Sequence, residues 1–326
     1  MLEQLKFVRG SVAKKDLLPA LTHFRIENGH IQGYNGKLAL STPIDFDIDC
    51  TPEATTLINS IGNCKEAIQL GMTKAGKLSI KSGKFKAFIK CIEGPTAHVQ
   101  PEGQFVDIDG QVLLNALKTL QPYVCTDAAK PWTNGVHFHG SSAFATNNVI
   151  VAEHWLGTPF PISFTVPRDA VRELIRINQA PERFQISDSS MTFHYADGRW
   201  ARCGLLGDNA WPLSIINGLL ENVGACEKIP ESFFEGLNSV EKFTDKFNRV
   251  VFEPGLIRTH ALDCEEGATY ELDWIKNKST FSIEMLQKLK GIAKGLDLTK
   301  YPDPCPWYGD NIRGVIVGMH WIEGEI

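Results

Sequence analysis

A chain of 326 residues, 43% hydrophobic and 22% charged, exceeds what one core usually organises and has the balance of an ordinary globular protein, which argues against a disordered or fibrous one. Its 33 basic and 38 acidic residues give a net charge of -5, and this argues against a tight, wrapping nucleic-acid binder, which would be basic overall. No apolar run approaches the ~20 residues needed to span a bilayer and no signal-peptide pattern opens the chain, so a cytoplasmic protein with no membrane partner is expected.

In chain order, a short helix is predicted over Leu2 to Val8, carrying Lys6 and followed by Arg9. Strands follow at 21–26, 30–34, 37–41 and 44–49, with Asn28-Gly29 and Asn35-Gly36 as hairpin turns because both residues tolerate positive φ. A helix is predicted over 55–70, bearing Lys65, and then strands at 77–82 and 84–92, where Lys84, Lys86 and Lys90 alternate with Phe85 and Ile89. Residues 93–103, with Pro95 and Pro101, read as a linker. Beyond it come a strand at 105–108 and a helix at 111–121, with Leu113, Leu114, Leu117 and Leu120 inward and Lys118 outward. Strands around 136–138, 144–145, 150–153 and 162–166 lead to the helix VPRDAVRELIRIN, and strands at 184–186, 190–195 and 200–205 follow. In that helix Pro167 suits the first turn, Val171, Leu174, Ile175 and Ile177 supply an apolar side, and Arg168, Arg172 and Arg176 form a basic stripe at four-residue spacing. After Trp211-Pro212 and a link over 213–229, a helix at 231–243 carries Lys242, and strands are predicted at 248–252, 256–263 and 269–274. A helix over 283–296 bears Lys288, Lys290 and Lys294, a proline-rich loop covers 300–311, and a strand at 313–321 ends the pattern.

Three element types recur in one order. The helices near Thr56, Arg168 and Ile283 are separated by steps of 112 and 115 residues, and the earlier helices at Met1, Gly110 and Pro230 keep register with them. Three copies of one α+β domain are therefore expected, at 1–102, 103–218 and 219–326, each with two helices packed on antiparallel sheets.

The search for chemistry returns little. His137 and His139 share a strand face without a third ligand, and Asp45, Asp47 and Asp49 share another that reads as solvated. No phosphate-binding glycine loop, zinc-protease helix or nucleophile elbow stands in its required context. The eight cysteines lie far apart with no C-x-x-C pair and are expected to be reduced and mostly buried. No catalytic residue, cofactor or metal site is expected. Local basic helices within an acidic chain fit loose contact with phosphates.

The segments GQVLLNALKTLQPYV, WTNGVHFHGSSAFATNNVIVAEHW, FTVPRDAVRELIRI and LLGDNAWPL resemble, in order and spacing, the middle domain of the bacterial DNA polymerase III beta subunit, the sliding clamp. KKDLLPALTHFRIENGHIQGYNGKLAL resembles part of that family's first domain, and VIVGM its last strand. Where the family generally has Thr-Asp-Gly, a basic residue and leucine, this chain has Thr146, Asn147, Asn148, Val149, Ile150 and Val151, a departure that points to a divergent bacteriophage member.

The resemblance implies a non-catalytic processivity factor: two subunits joined head to tail into a ring, helices lining a hole through which double-stranded DNA slides, and a replicative polymerase and a clamp loader as partners. The implied DNA-facing set is Lys6, Arg9, Lys65, Lys118, Arg168, Arg172, Arg176, Lys242, Lys288, Lys290 and Lys294. Partner peptides would dock in an apolar pocket at Thr146, Asn148, Val149, Ile150, Val151, Pro212, Ile215, Ile216, Val315, Val317 and Met319. Within each subunit, an edge of the first domain and an edge of the third would be left to pair across the join. The alternative is a clamp-fold interaction module that does not encircle DNA.

Overall fold

The computed structural model describes all residues except 16, 47, 94–95, 128, 208–210, 222–225, 260–265 and 321–326. The chain begins with α1 (Leu2–Val8), β1 (Arg25–Glu27), β2 (His30–Tyr34), β3 (Leu38–Pro43), α2 (Ala54–Gly62), β4 (Gln69–Met72), β5 (Lys77–Ser82) and β6 (Phe85–Lys90). Next come β7 (Gln104–Val106), α3 (Gly110–Leu120), β8 (Gly135–His139), β9 (Ser142–Thr146), β10 (Ile150–Trp155), β11 (Phe164–Pro167), α4 (Arg168–Ile177), β12 (Arg183–Ile186), β13 (Ser190–His194) and β14 (Trp200–Gly204). The last part holds α5 (Leu213–Leu220), β15 (Glu227–Lys228), α6 (Glu231–Val240), β16 (Arg249–Glu253), β17 (Leu256–Arg258), β18 (Thr269–Glu271), β19 (Ser279–Ser282), α7 (Ile283–Gln287), β20 (Ala293–Leu296), β21 (Cys305–Gly309) and β22 (Ile312–Ile316).

The chain divides into two compact units, Met1–Asn115 with Asp169–Leu206, and Ala116–Arg168 with Gly207–Ile326. In the first, an antiparallel seven-stranded sheet has the order β1-β2-β3-β14-β13-β12-β7. Its middle is a seam between strands remote in sequence, with Leu40 opposite Ala201 and Ala39 opposite Arg202. Asn28 (φ 50°) and Gly29 (φ 68°) make the β1–β2 turn as their sequence demands. Helix α1 lies on β2 and β3, burying Leu5, Phe7 and Val8. Gly33 permits that contact, since a Cβ there would stand 2.6 Å from Ser11 Oγ and 2.7 Å from the Val8 carbonyl oxygen. A three-stranded sheet, β4-β5-β6, is covered by α2, whose Leu57, Ile58 and Ile61 are buried.

The second unit has an eight-stranded sheet, β11-β8-β9-β10-β22-β21-β20-β15, again with a central seam of remote strands where Ile150 lies opposite Ile316 and Val151 opposite Val315. Its four-stranded sheet, β18-β17-β16-β19, carries α6 and α7 and an aromatic core in which the Phe233 ring lies 5.8 Å from Phe252 and 5.2 Å from Trp274.

Several expected elements take another form. The strand at 44–49 is absent among the described residues. Strand β3 instead runs on to Pro43, which lacks the donor to continue a ladder, so Asp45 and Asp49 share no strand face and Asp47 lies outside the described residues. The helix at 55–70 stops at Gly62 with Asn63 as its cap, and residues 69–72 pair with β5 as β4. The helix at 283–296 is shorter still: after Gln287 the bonds of Leu289 to Leu286 and Lys290 to Gln287 tighten to three-residue turns, Gly291 takes φ 75°, and 293–296 become β20. The loop at 300–311 contains β21, because Cys305 and Trp307 are wholly buried in the sheet, and that burial outweighs the poor strand propensity of Pro306. The link at 213–229 contains α5, and the last strand is β22; of the expected strand, Trp321 lies outside the described residues.

Candidate functional site

The basic helices differ in how far their cations are free. On α1 Lys6 is exposed and paired with Glu3 at 2.8 Å, and Arg9 follows the helix in the open. Lys65 is exposed just beyond α2. On α3, burial of Leu113, Leu114, Leu117 and Leu120 turns Lys118 outward. On α4, burial of Ala170, Val171 and Leu174 leaves Arg172 exposed, while Arg168 is half-buried.

Arg176 has a partner inside the fold. Its Nε donates to both carboxylate oxygens of Glu173, at 2.9 and 3.0 Å, and its Nη2 donates to the Phe7 carbonyl at 2.9 Å. Glu173 is buried, and Gly10 makes room for it, since a Cβ at that position would overlap the carboxylate. Hydrogen bonds donated to Glu173 hold the Arg176 guanidinium above its ordinary pKa. The ion pair holds the guanidinium within α4, its bond to the Phe7 carbonyl fastens α4 to α1, and a fixed guanidinium has less reach toward a ligand.

In the second unit Lys242 is exposed just past α6, and Lys288 is half-buried with Glu284 at 3.7 Å. Lys290 stands in the turn after α7, and Lys294 on β20 meets Asp310 at 2.5 Å. These two lysines thus belong to no helix, contrary to the sequence expectation, because the chain leaves the helix before reaching them.

The residues expected to form an apolar pocket divide between two sides of a sheet. Val151, Ile216 and Val315 come together in a buried cluster with Phe144, Trp211 and Leu220, and Trp132, Leu213 and Leu219 pack around it half-buried. Ile150 belongs elsewhere: successive strand residues face opposite ways, so with Val151 in the cluster Ile150 is buried on the other side. Thr146 shapes the approach, donating its hydroxyl to the Ile150 carbonyl at 2.8 Å and accepting from the Asn148 amide at 3.1 Å, with Asn148 at φ 70°. Pro212 caps α5, Ile215 is 64% exposed and Val317 is 41% exposed, so these two are surface groups. Val149 and Met319 are half-buried, and the Met319 amide bonds to the Thr280 carbonyl at 2.7 Å.

Sequence reasoning missed the aromatic part of the cluster and α5 itself. The signal was present in Leu213, Ile216 and Leu220, spaced as one helix face directly after Trp211. It also missed the support beneath Trp211. His137, 2% exposed, stacks on the Trp211 ring at 5.1 Å, and its Nδ1 meets the Thr165 hydroxyl at 2.8 Å. Burial, with His139 beside it, pushes His137 down to about 4, so it is a neutral packing ring at neutral pH.

Helix-covered antiparallel sheets joined through long seams have the architecture of the DNA-clamp fold. Solved structures of bacterial beta sliding clamps match over 98% of this chain and 97% of theirs. The DNA polymerase III beta subunit of Bartonella birtlesii bound to griselimycin is 16% identical with a TM-score of 0.81, and the Caulobacter crescentus polymerase clamp is 15% identical with 0.81. The Bacillus subtilis clamp is 16% identical with 0.77. At these identities the likeness is one of fold. No protein-family model and no curated protein sequence matches the chain.

Proposed function

We propose that this protein is a DNA sliding clamp that encircles duplex DNA without reading its sequence and tethers a replicative polymerase, with no catalytic role of its own. The observation that carries the reading is the fold likeness to beta clamps along 98% of the chain. A divergent phage clamp acting in the cytoplasm of the infected cell accounts for the departures in sequence.

The element order supports three domains at 1–102, 103–218 and 219–326. The run β7-α3-β8-β9-β10-β11-α4-β12-β13-β14 has the same order as β15-α6-β16-β17-β18-β19-α7-β20-β21-β22, and α1-β1-β2-β3-α2-β4-β5-β6 follows it in shortened form. In this correspondence β3, β10 and β18 are equivalent, as are β14, β22 and β6. The seams β3–β14 and β10–β22 then predict a third, β18 of one subunit with β6 of another, which closes a head-to-tail two-subunit ring. Lys86 and Lys90 on β6 and Glu271 on β18 favour that pairing.

Duplex DNA would be met by the exposed set Lys6, Arg9, Lys65, Lys118, Arg172, Lys242 and Lys290, with Arg168, Arg176, Lys288 and Lys294 as more constrained members. Loose contacts of this kind, bridged by water, permit sliding. The polymerase and the clamp loader would bind by short peptides at the cluster around Val151, Ile216 and Val315, gripping the rim formed by Trp132, Leu213 and Leu219. Sedimentation at micromolar concentration is expected to give a two-subunit particle; a strictly monomeric or trimeric one overturns the ring.

A further inference from the structure

Two cysteines far apart in sequence meet in the first unit. Pro52 lies opposite Cys91 in an antiparallel bridge, held by the Glu53 amide to the Lys90 carbonyl at 3.2 Å and the Ile92 amide to the Thr51 carbonyl at 3.1 Å. Paired residues project to one face, and Cys50, two residues before Pro52, projects to the same face as a diagonal neighbour of Cys91. Cys91, whose Sγ also meets the Ile89 carbonyl at 3.9 Å, lies near enough to Cys50 to raise its pKa, and both are half-buried, within reach of a small reagent. Cys125, Cys203 and Cys305, by contrast, are buried.

We propose that Cys50 and Cys91 form a redox modification site, a dithiol that closes to a reversible disulfide by exchange with a low-molecular-weight disulfide such as oxidised glutathione. Burial, and then the neighbouring Cys91, push the Cys50 thiol up to about 12, which makes Cys50 a poor first nucleophile and the second of the two to react. The Cys91 thiolate attacks one sulfur of the reagent, forms a mixed disulfide and expels one thiolate. Cys50 then gives its proton to water and attacks the Cys91 sulfur, expelling the second thiolate and closing the bridge. Two protein thiols are oxidised and one reagent disulfide is reduced to two thiols.

The bridge closes residues 50–91 into one covalent loop that holds α2 and the sheet β4-β5-β6, and it fastens the Glu53 cap of α2 to the end of β6. An effect on ring closure through β6 rests on the clamp reading; the bridge itself does not.

The test treats the reduced full-length protein with oxidised glutathione, blocks free thiols, and maps peptides without reduction. A Cys50–Cys91 linked peptide that disappears with dithiothreitol is expected, together with a Tm raised by about 5 °C or more. In Cys50→Ser the glutathione adduct is expected to persist on Cys91. Free thiols at both positions, a stable adduct on Cys91 in the unaltered chain, or bridges to other cysteines would each overturn the proposal. The peptide map of the unaltered protein decides the matter even where the variant folds poorly, and sedimentation of oxidised and reduced protein separates this site from the ring.

Discussion

The two long sheets and the two short ones handle the same problem differently. At the seams β3–β14 and β10–β22, strands remote in sequence satisfy each other's backbone, and they can afford to be apolar: every residue of β3 up to Thr42 is buried, as are Ile150, Val151 and Ala152 of β10. The short sheets end on β6 and β18, where exposed residues alternate with inward ones and lysines or glutamate stand on the outer positions. A seam is made specific by burial within one chain. An open edge is kept from indiscriminate pairing by charge, and charge also chooses its partner.

Breaking a seam should have the largest effect. Ala201→Pro in β14 removes a donor in a central strand and should cost about 3 kcal/mol or more in denaturant unfolding. Lys86→Glu with Lys90→Glu on β6 should leave stability within about 0.5 kcal/mol, yet abolish the two-subunit particle in sedimentation. Adding Glu271→Lys should restore it; failure to do so would remove β6 and β18 as mates.

A smaller effect, and one set by pH, is expected beneath the apolar cluster. With the His137 pKa near 4 in the folded state and 6.5 in the unfolded, the unfolded chain alone binds the proton between those values. Stability from this ring is therefore complete above pH 6.5 and declines as the pH falls toward 4, by roughly 3 kcal/mol in all. His137→Phe should flatten that slope in urea titrations; an unchanged slope would assign it to other groups.

The two outer arginines of α4 sharpen the comparison on a smaller scale. Arg176→Ala strands Glu173 with little solvent access and should cost about 2 kcal/mol, less than a fully buried pair because Arg176 itself is half exposed. Arg172→Ala should cost under about 0.5 kcal/mol by the same unfolding assay. Equal costs would mean that the ion pair contributes nothing.

The hairpin at Asn28-Gly29 and the inward faces of α3 and α4 were legible because each is a local pattern carried by neighbouring residues. The ends of α2 at Gly62 and of α7 at Gln287 were not, since the apolar spacing continues past both, and only the sheet partner turns 69–72 and 293–296 into strands. Strand β21 was hidden by its prolines for a related reason: burial of Trp307 is a tertiary fact. Val151, Ile216 and Val315 were legible as apolar residues but their direction was not, since only the sheet puts Ile150 on the side opposite Val151. Glu173 and Arg176 stand three residues apart on one helix, but the bond from Arg176 to the Phe7 carbonyl, the space that Gly10 leaves for Glu173 and the approach of Cys50 to Cys91 depend on neighbours distant in sequence, and no spacing announces them.

The smallest expected effect tests what an exposed cation does. Lys118 and Arg172 stand outside their helices with apolar faces buried behind them, so removing both should hardly alter stability. If each meets one phosphate, the double variant Lys118→Ala with Arg172→Ala should lower the slope of log affinity against log salt by about 0.9 per contact, or about 2 in total. Arg176→Ala, measured where it remains folded, should change that slope little, because its guanidinium already serves Glu173 and the Phe7 carbonyl. Fluorescence anisotropy with a duplex oligonucleotide between 20 and 150 mM salt, concentrations of about the range in which phosphate contacts are released, resolves the two cases. A slope that falls equally for Arg176→Ala would mean that the arginine leaves its partner when DNA arrives. A slope unchanged in the double variant would remove these two helices from the DNA-facing surface, while leaving the seams and their edges as they are.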